Sequence, residues 1–86
     1  MVTVEISYPA AGAITPTVSA WNDLATLPAG FRPARNVDFA GVNNQAVSDV
    51  ARAFRVTTSG VIRCWADASG ETTTIRPAGC VTYMIG

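Results

Sequence analysis

The sequence predicts an all-β fold, a small antiparallel β-sandwich or jelly-roll-like barrel of about six to eight short strands. Apolar and polar residues alternate with period two in several short segments, as they do in half-buried strands. Residues that favour turns separate these segments at intervals of about ten residues, a spacing typical of sandwiches and barrels. No linker or low-complexity segment divides the 86 residues, so we expect a single domain, 1–86.

The first half of the chain predicts three strands and one long connection. Residues 2–8 alternate most regularly and are expected to form a half-buried strand. Residues 13–18 predict a weaker strand, which Pro16 confines to a sheet edge or a bulge. Residues 20–34 are expected to form a long ordered connection, and residues 36–42 alternate again as a third strand.

The long connection contains a corner with the sequence TLPAGFRP at residues 26–33. Proline presets φ for the first central position of a turn, and glycine tolerates the positive φ that often closes one. Phe31 is expected to return to apolar surroundings, and the next two residues prevent a helix from continuing. The predicted structural corner comprises Leu27, Pro28, Gly30, Phe31, Arg32 and Pro33.

Residues 45–54 admit two interpretations. The apolar spacing Val47, Val50, Ala51 and Phe54 fits one face of a helix, which the preceding asparagines could cap. Alternation that continues through Val56 fits a strand instead. We favour a loop to about residue 50 followed by a strand.

The rest of the chain predicts hairpins. Residues 61–66 alternate, with Ile62 and Cys64 on one face and Arg63 and Trp65 on the other. The surrounding segments are predicted as a turn at 58–60, a hairpin turn at 67–70, an extended segment at 72–75, a second Pro-Ala-Gly turn at 77–79 and a closing strand at 81–85.

Composition excludes several classes of function. Six basic residues balance six acidic ones, which predicts neither nucleic-acid binding nor a basic membrane-binding patch. No apolar run reaches the roughly 20 residues of a membrane span, and the amino end does not have the pattern of a signal peptide. Only 14% of the residues are charged and 49% are hydrophobic, so we expect apolar surface to be buried in a homo-oligomer.

The sequence offers no catalytic set. It has no histidine, and its six acids are scattered over separate predicted elements. We therefore expect no enzyme activity, no metal and no cofactor. Cys64 and Cys80 lack metal-ligand spacing and are predicted to be small core residues. A disulfide between them is disfavoured in a simple meander, where they lie two strands apart, but a strand that switches sheets would permit it.

Two groups of aromatic and polar residues are candidates for ligand binding. Tryptophan rings can stack on sugars while amide, carboxylate and guanidinium groups bind the hydroxyls. The alternative is that both tryptophans fill the core or a subunit contact, and for Trp21 packing against the corner is favoured. Arg52 has two equal interpretations, a contact with a carboxylate or a solvated strand face. The candidate ligand-binding residues are Trp21, Asn22, Asp23, Arg63, Trp65 and Asp67.

The sequence resembles the small distal domains of bacteriophage tail-fibre, baseplate and head-fibre proteins. The segments that carry the resemblance are the corner at 26–33, the strand with Phe39, the hairpin at 56–60, the VIRCW segment and the closing Val81-Thr82-Tyr83. The resemblance implies a homotrimeric head on the virion that binds a host cell-surface glycan and contacts other fibre or baseplate proteins. Only the structural corner can be matched to these domains residue by residue, and the resemblance assigns no binding site. It also implies synthesis in the host cytoplasm. The alternative is a structural domain that makes assembly contacts only.

Overall fold

Six antiparallel strands form one curled sheet in the computed structural model, which describes residues 1–8, 12–44, 49–67 and 74–85. This confirms the all-β fold class. The order across the sheet is β1-β6-β3-β4-β5-β2, so β1 and β2 are the two edges. The strands are β1 (Val2–Ser7), β2 (Ala20–Thr26), β3 (Val37–Asn44), β4 (Asp49–Val56), β5 (Val61–Ala66) and β6 (Arg76–Tyr83).

The inner face of the curled sheet holds the hydrophobic core. Alternation along each strand directs every second side chain inward, and the curl brings these side chains together. Complete burial of an aliphatic or aromatic side chain stabilises the fold by about 1.5–3 kcal/mol before entropy is counted. The core residues are Val4, Ile6, Phe54, Val56, Ile62, Cys64, Ile75 and Tyr83.

Phe54 occupies the middle of this core because a glycine on the neighbouring strand gives it room. Its exposed fraction is 0%, and its ring centre lies 5.4 Å from that of Phe39. A Cβ added to Gly41 would lie 2.7 Å from Phe54 Cε1, which is closer than real Cβ contacts. The small residue at 41 is therefore part of the packing around the phenyl ring.

The prediction for residues 13–34 was wrong in its strand positions. Of the expected strand at 13–18, only Ile14 makes a β-bridge, to Ile75. The second strand is instead β2, inside the expected connection. Asn22 and Asp23 disfavour a strand in a sequence reading. Pairing with β5 overrides that preference. The Asp23 side chain is bound by Arg63 of β5, and the Asn22 side chain is bound by the backbone of Thr17 and Ala20.

The corner at 26–33 exists but differs from the predicted turn. The backbone N–H of Phe31 donates to Pro28 O at 3.0 Å, and residues Ala29–Phe31 form a 3-10 turn. Gly30 does not adopt a positive φ there. Phe31 is 50% exposed rather than returned to the core, because its side chain follows the outside of that turn.

Backbone and side-chain hydrogen bonds and one β-bridge hold the corner in place on the sheet. Leu27 N donates to Gly60 O at 2.8 Å, and Arg32 Nε donates to Leu27 O at 3.2 Å. The hydroxyl of Tyr83 donates to Phe31 O, and Pro33 makes a β-bridge with Ile85. The corner is thus stabilised mainly by contacts with distant segments.

The predicted turn at 77–79 was also wrong, since these residues lie within β6. Pro77 is tolerated because β1 has already ended there, its last residue Ser7 pairing with Ala78. The carbonyl of Pro77 accepts a hydrogen bond from Tyr8 N at 3.2 Å, so its missing N–H faces the end of β1 and removes no bond of the ladder.

Of the remaining predictions for the second half of the chain, two are confirmed and others concern residues that the structure does not describe. The strand interpretation of the segment before residue 56 is confirmed by β4, and the turn at 58–60 is confirmed by the hydrogen bond from Gly60 N to Thr57 O. The predictions at 45–48, 68–70 and 72–73 lie outside the described residues.

The two cysteines have different environments. Neither forms a disulfide, in agreement with the strand-distance argument. Cys64 is fully buried in the core, but Cys80 is exposed. The core prediction was wrong for Cys80 because its register partner is Glu5, which places it on the outer face of the sheet.

Candidate functional site

The pairing of β2 with β5 brings the two candidate groups of residues into one site. Trp21 lies opposite Trp65 in the register, and Asp23 lies opposite Arg63. The two indole rings pack edge to face, with centroids 5.6 Å apart and planes at 77°. An aromatic pair of this kind contributes about 0.5–1.5 kcal/mol beyond the area it buries.

This tryptophan pair (Trp21 and Trp65) lies on the outer face of the sheet and is half-buried. Neither residue belongs to the core or to the apolar residues packed on it, so the core interpretation was wrong. The preferred packing of Trp21 against the corner was also wrong. Trp21 stands near the beginning of β2, whereas the corner starts after its last residue, Thr26.

A row of four charged residues crosses the same face beside the tryptophan pair. The register places Asp38, Arg55, Arg63 and Asp23 side by side on β3, β4, β5 and β2. Arg55 donates to both carboxylate oxygens of Asp38, at 2.6 and 3.1 Å, and Arg63 Nε donates to Asp23 Oδ1 at 2.7 Å. We call these four residues the charged row.

The charged row and the tryptophan pair form one continuous surface. The guanidinium carbon of Arg55 lies 4.8 Å from the ring centre of Trp21, within the range of a cation–π contact. The hydrogen bonds from Arg55 lower the pKa of the Asp38 carboxyl below its usual value. The same bonds raise the pKa of Arg55, so both groups are charged at neutral pH.

Asn22 does not contribute to this surface. Its amide oxygen accepts from Thr17 N at 2.7 Å, and its amide nitrogen donates to Thr17 O and Ala20 O at 3.0 and 3.1 Å. The side chain therefore attaches the turn before β2 to the strand edge. Asp67 directly follows β5 and is half-buried.

Sequence reasoning missed Asp38 and Arg55 as members of the site. The signal that could have found them is alternation on the strands before and after residue 45, which puts both side chains on the outer face. Arg52 Nη1 donates to Ala51 O at 3.0 Å, and its predicted contact with a carboxylate stays a prediction.

No group of three histidine, cysteine or acidic residues in the described ranges could hold a metal ion. The same residues include no helix long and apolar enough to cross a bilayer. Comparisons with protein-family models, with curated proteins and with solved structures gave no match. The outer face of the sheet and the resemblance given above are therefore the two grounds for a function.

Proposed function

We propose that this chain is a non-catalytic saccharide-binding domain, with the tryptophan pair as the surface on which a sugar ring stacks. The observation that carries the proposal is two half-exposed indoles placed next to two Asp–Arg pairs on the outer face. The side chains of Asp38 and Asp23 remain 58% and 64% exposed, which leaves them accessible to a ligand.

The chemistry of the surface suits sugar hydroxyls. An indole offers apolar contact to the C–H face of a pyranose, while carboxylates accept and guanidiniums donate hydrogen bonds. Each arginine carries five N–H donors, and the Asp–Arg pairs use at most two of them. The pairs also hold the side chains in place, so less conformational entropy is lost when a ligand binds.

The resemblance extends this proposal to a biological setting. Within it, the saccharide belongs to a host cell surface, and the domain is the receptor-binding head of a bacteriophage tail, baseplate or head fibre, located on the virion. One shallow sugar site has roughly millimolar affinity, about 4 kcal/mol. Several linked sites would raise the overall affinity through effective concentration.

Exposed apolar side chains at one end of the sheet support a homo-oligomer. Pairing of Val2 with Tyr83 puts the two flanking methionines at the same end, and the bridge from Pro33 adds Ile85 to them. We call this group the end patch; it comprises Met1, Phe31, Met84 and Ile85. It lies at the corner end of the sheet, away from the tryptophan pair, so copies joined there would leave the sugar surface open.

The first test removes the stacking surface. We expect Trp21→Ala and Trp65→Ala each to weaken saccharide binding about tenfold or more, because each removes aromatic contact worth more than 1 kcal/mol. Binding is measured on a glycan array and then by calorimetry as affinity per site. Phe31→Ala, which removes an exposed ring far from the pair, is the control and should leave this affinity unchanged. Unchanged affinity in both tryptophan variants would contradict the proposal.

The second test concerns assembly. Light scattering after size-exclusion chromatography should give a mass three times the 9.0 kDa of the chain. Met84→Asp should reduce the mass to that of the monomer, because a carboxylate in a buried apolar contact is costly. Val18→Asp changes an exposed apolar residue outside the end patch and should leave the trimer intact. A wild-type monomer would remove the support for an oligomeric head.

The end patch also favours a second candidate function, a structural fibre or baseplate domain that contacts only other virion proteins. In that case the two tryptophan variants would impair incorporation into virions and leave the adsorption of assembled virions unchanged. Saccharide binding by the isolated domain would exclude this reading.

A further inference from the structure

A shallow depression lies next to the charged row on the outer face. Its volume is about 480 Å³, and it is open to solvent along β3 and β4. Asp38, the end residue of the charged row, also lines the depression. The sugar surface proposed above therefore continues past Arg55 into a second concave area. The other lining residues are Phe39, Ala40, Ala51, Arg52 and Ala53.

The combined surface is too long for one sugar ring. Strands β2, β5, β4 and β3 are consecutive neighbours in the sheet. At about 4.8 Å between strands, the distance from Trp21 on β2 to Ala40 on β3 spans three intervals, or roughly 14 Å. A ligand in contact with both ends of this surface must contain more than one pyranose.

The charges that face outward on this surface balance locally, because Arg52 shares the inner face of β4 with the buried Phe54 and Val56. Each arginine of the charged row is paired with an aspartate, at 2.6 Å for Arg55 and 2.7 Å for Arg63. The whole chain has a formal net charge of +0. An acidic polymer would thus meet no net attraction, and it would approach the two exposed carboxylates of the row at a cost.

We propose that the ligand is a neutral oligosaccharide of at least two rings, one stacked on the tryptophan pair and another seated in the depression, a proposal that rests on the saccharide-binding function above. The charged row runs beside both ring positions and binds the hydroxyls of the chain. Ala53 leaves the depression open because its methyl group is small and exposed.

The experiment compares ligand length and charge on the wild-type protein. The probes are glucose, maltose and maltotriose; mannose, mannobiose and mannotriose; and trigalacturonate as the acidic trisaccharide. We expect a neutral trisaccharide to bind about tenfold more tightly than its monosaccharide, with affinity nearly independent of salt. Tighter binding of trigalacturonate that weakens with added salt would overturn the assignment to neutral ligands.

A pair of matched variants tests the depression itself. Ala53→Ile fills it and should abolish the tenfold gain of the trisaccharide over its monosaccharide. Ala25→Ile makes the same change at an exposed position of the edge strand and should retain the gain. Circular dichroism of both variants checks that the sheet is intact. Retention of the full gain in Ala53→Ile would overturn the second ring position.

The two proposals fail in different ways. If the wild type binds monosaccharides but gains nothing with length, the saccharide function stands and the extended site is wrong. If it binds none of these probes and no glycan on the array, both are wrong.

Discussion

Replacement of Phe54 by alanine is expected to lower the free energy of unfolding by about 3–5 kcal/mol. The side chain is completely buried in the middle of the core, and Phe39 and Gly41 pack closely on it. Truncation would therefore remove its burial and leave a cavity between strands. Because a domain has a total stability of only about 5–15 kcal/mol, the variant should be partly unfolded near 37 °C.

The measurement is urea denaturation followed by circular dichroism and by fluorescence of the tryptophan pair. Val18→Ala is the control, since it truncates an apolar side chain that is 38% exposed and lies outside the end patch. We expect the control to cost less than about 1 kcal/mol. Similar losses in both variants would show that Phe54 is not at the centre of the core.

The inner face of the sheet was largely predictable from the sequence. Alternation identified the strands that contain Val4, Ile62 and Cys64, and the structure places these residues in the core. Period-two alternation is a local signal, and it survives whenever one face of a strand is buried. Strand β2 was not predicted because Asn22 and Asp23 are polar, and the partner of Asp23 is Arg63, 40 positions along the chain.

The candidate site was found in two halves but not as a whole. Its aromatic and charged residues at 21–23 and 63–65 were recognised from their side-chain chemistry. Their contact follows from the pairing of β2 with β5, which are separated by two other strands in the chain. No local pattern encodes a pairing between residues 40 or more positions apart. Arg55 and Asp38 join this site only through the pairing of β4 with β5, although alternation on their own strands puts both on the outer face.

The corner shows where local turn chemistry is insufficient. Pro28 and Gly30 suggested a glycine with positive φ, yet the positive-φ glycine of the described residues is Gly60, with φ of 85°. Gly60 lies in the hairpin between β4 and β5, and its carbonyl accepts the hydrogen bond from Leu27 N. The position that requires glycine is thus Gly60, which binds the corner through its carbonyl, and not Gly30 within the corner.

Gly60→Ala is accordingly expected to destabilise the domain by about 2–5 kcal/mol. A left-handed φ costs a residue with a Cβ about 1–2 kcal/mol. The added Cβ would also lie 2.9 Å from both Arg32 Nε and Leu27 O, and relief of such a contact costs a further 1–3 kcal/mol. Leu27 O is a backbone atom, so the corner itself must move and its hydrogen bonds to Gly60 and Arg32 must lengthen.

Gly30→Ala is the matched control for this variant, because a Cβ added at Gly30 meets nothing within 4 Å and its φ is not positive. We expect it to be neutral or to stabilise the domain by up to about 1 kcal/mol, since alanine restricts the unfolded chain. Thermal denaturation of the two variants makes the comparison directly. Equal melting temperatures for Gly30→Ala and Gly60→Ala would mean that the hairpin does not support the corner, and a lower value for Gly30→Ala would restore the original reading of the Leu-Pro-Ala-Gly turn.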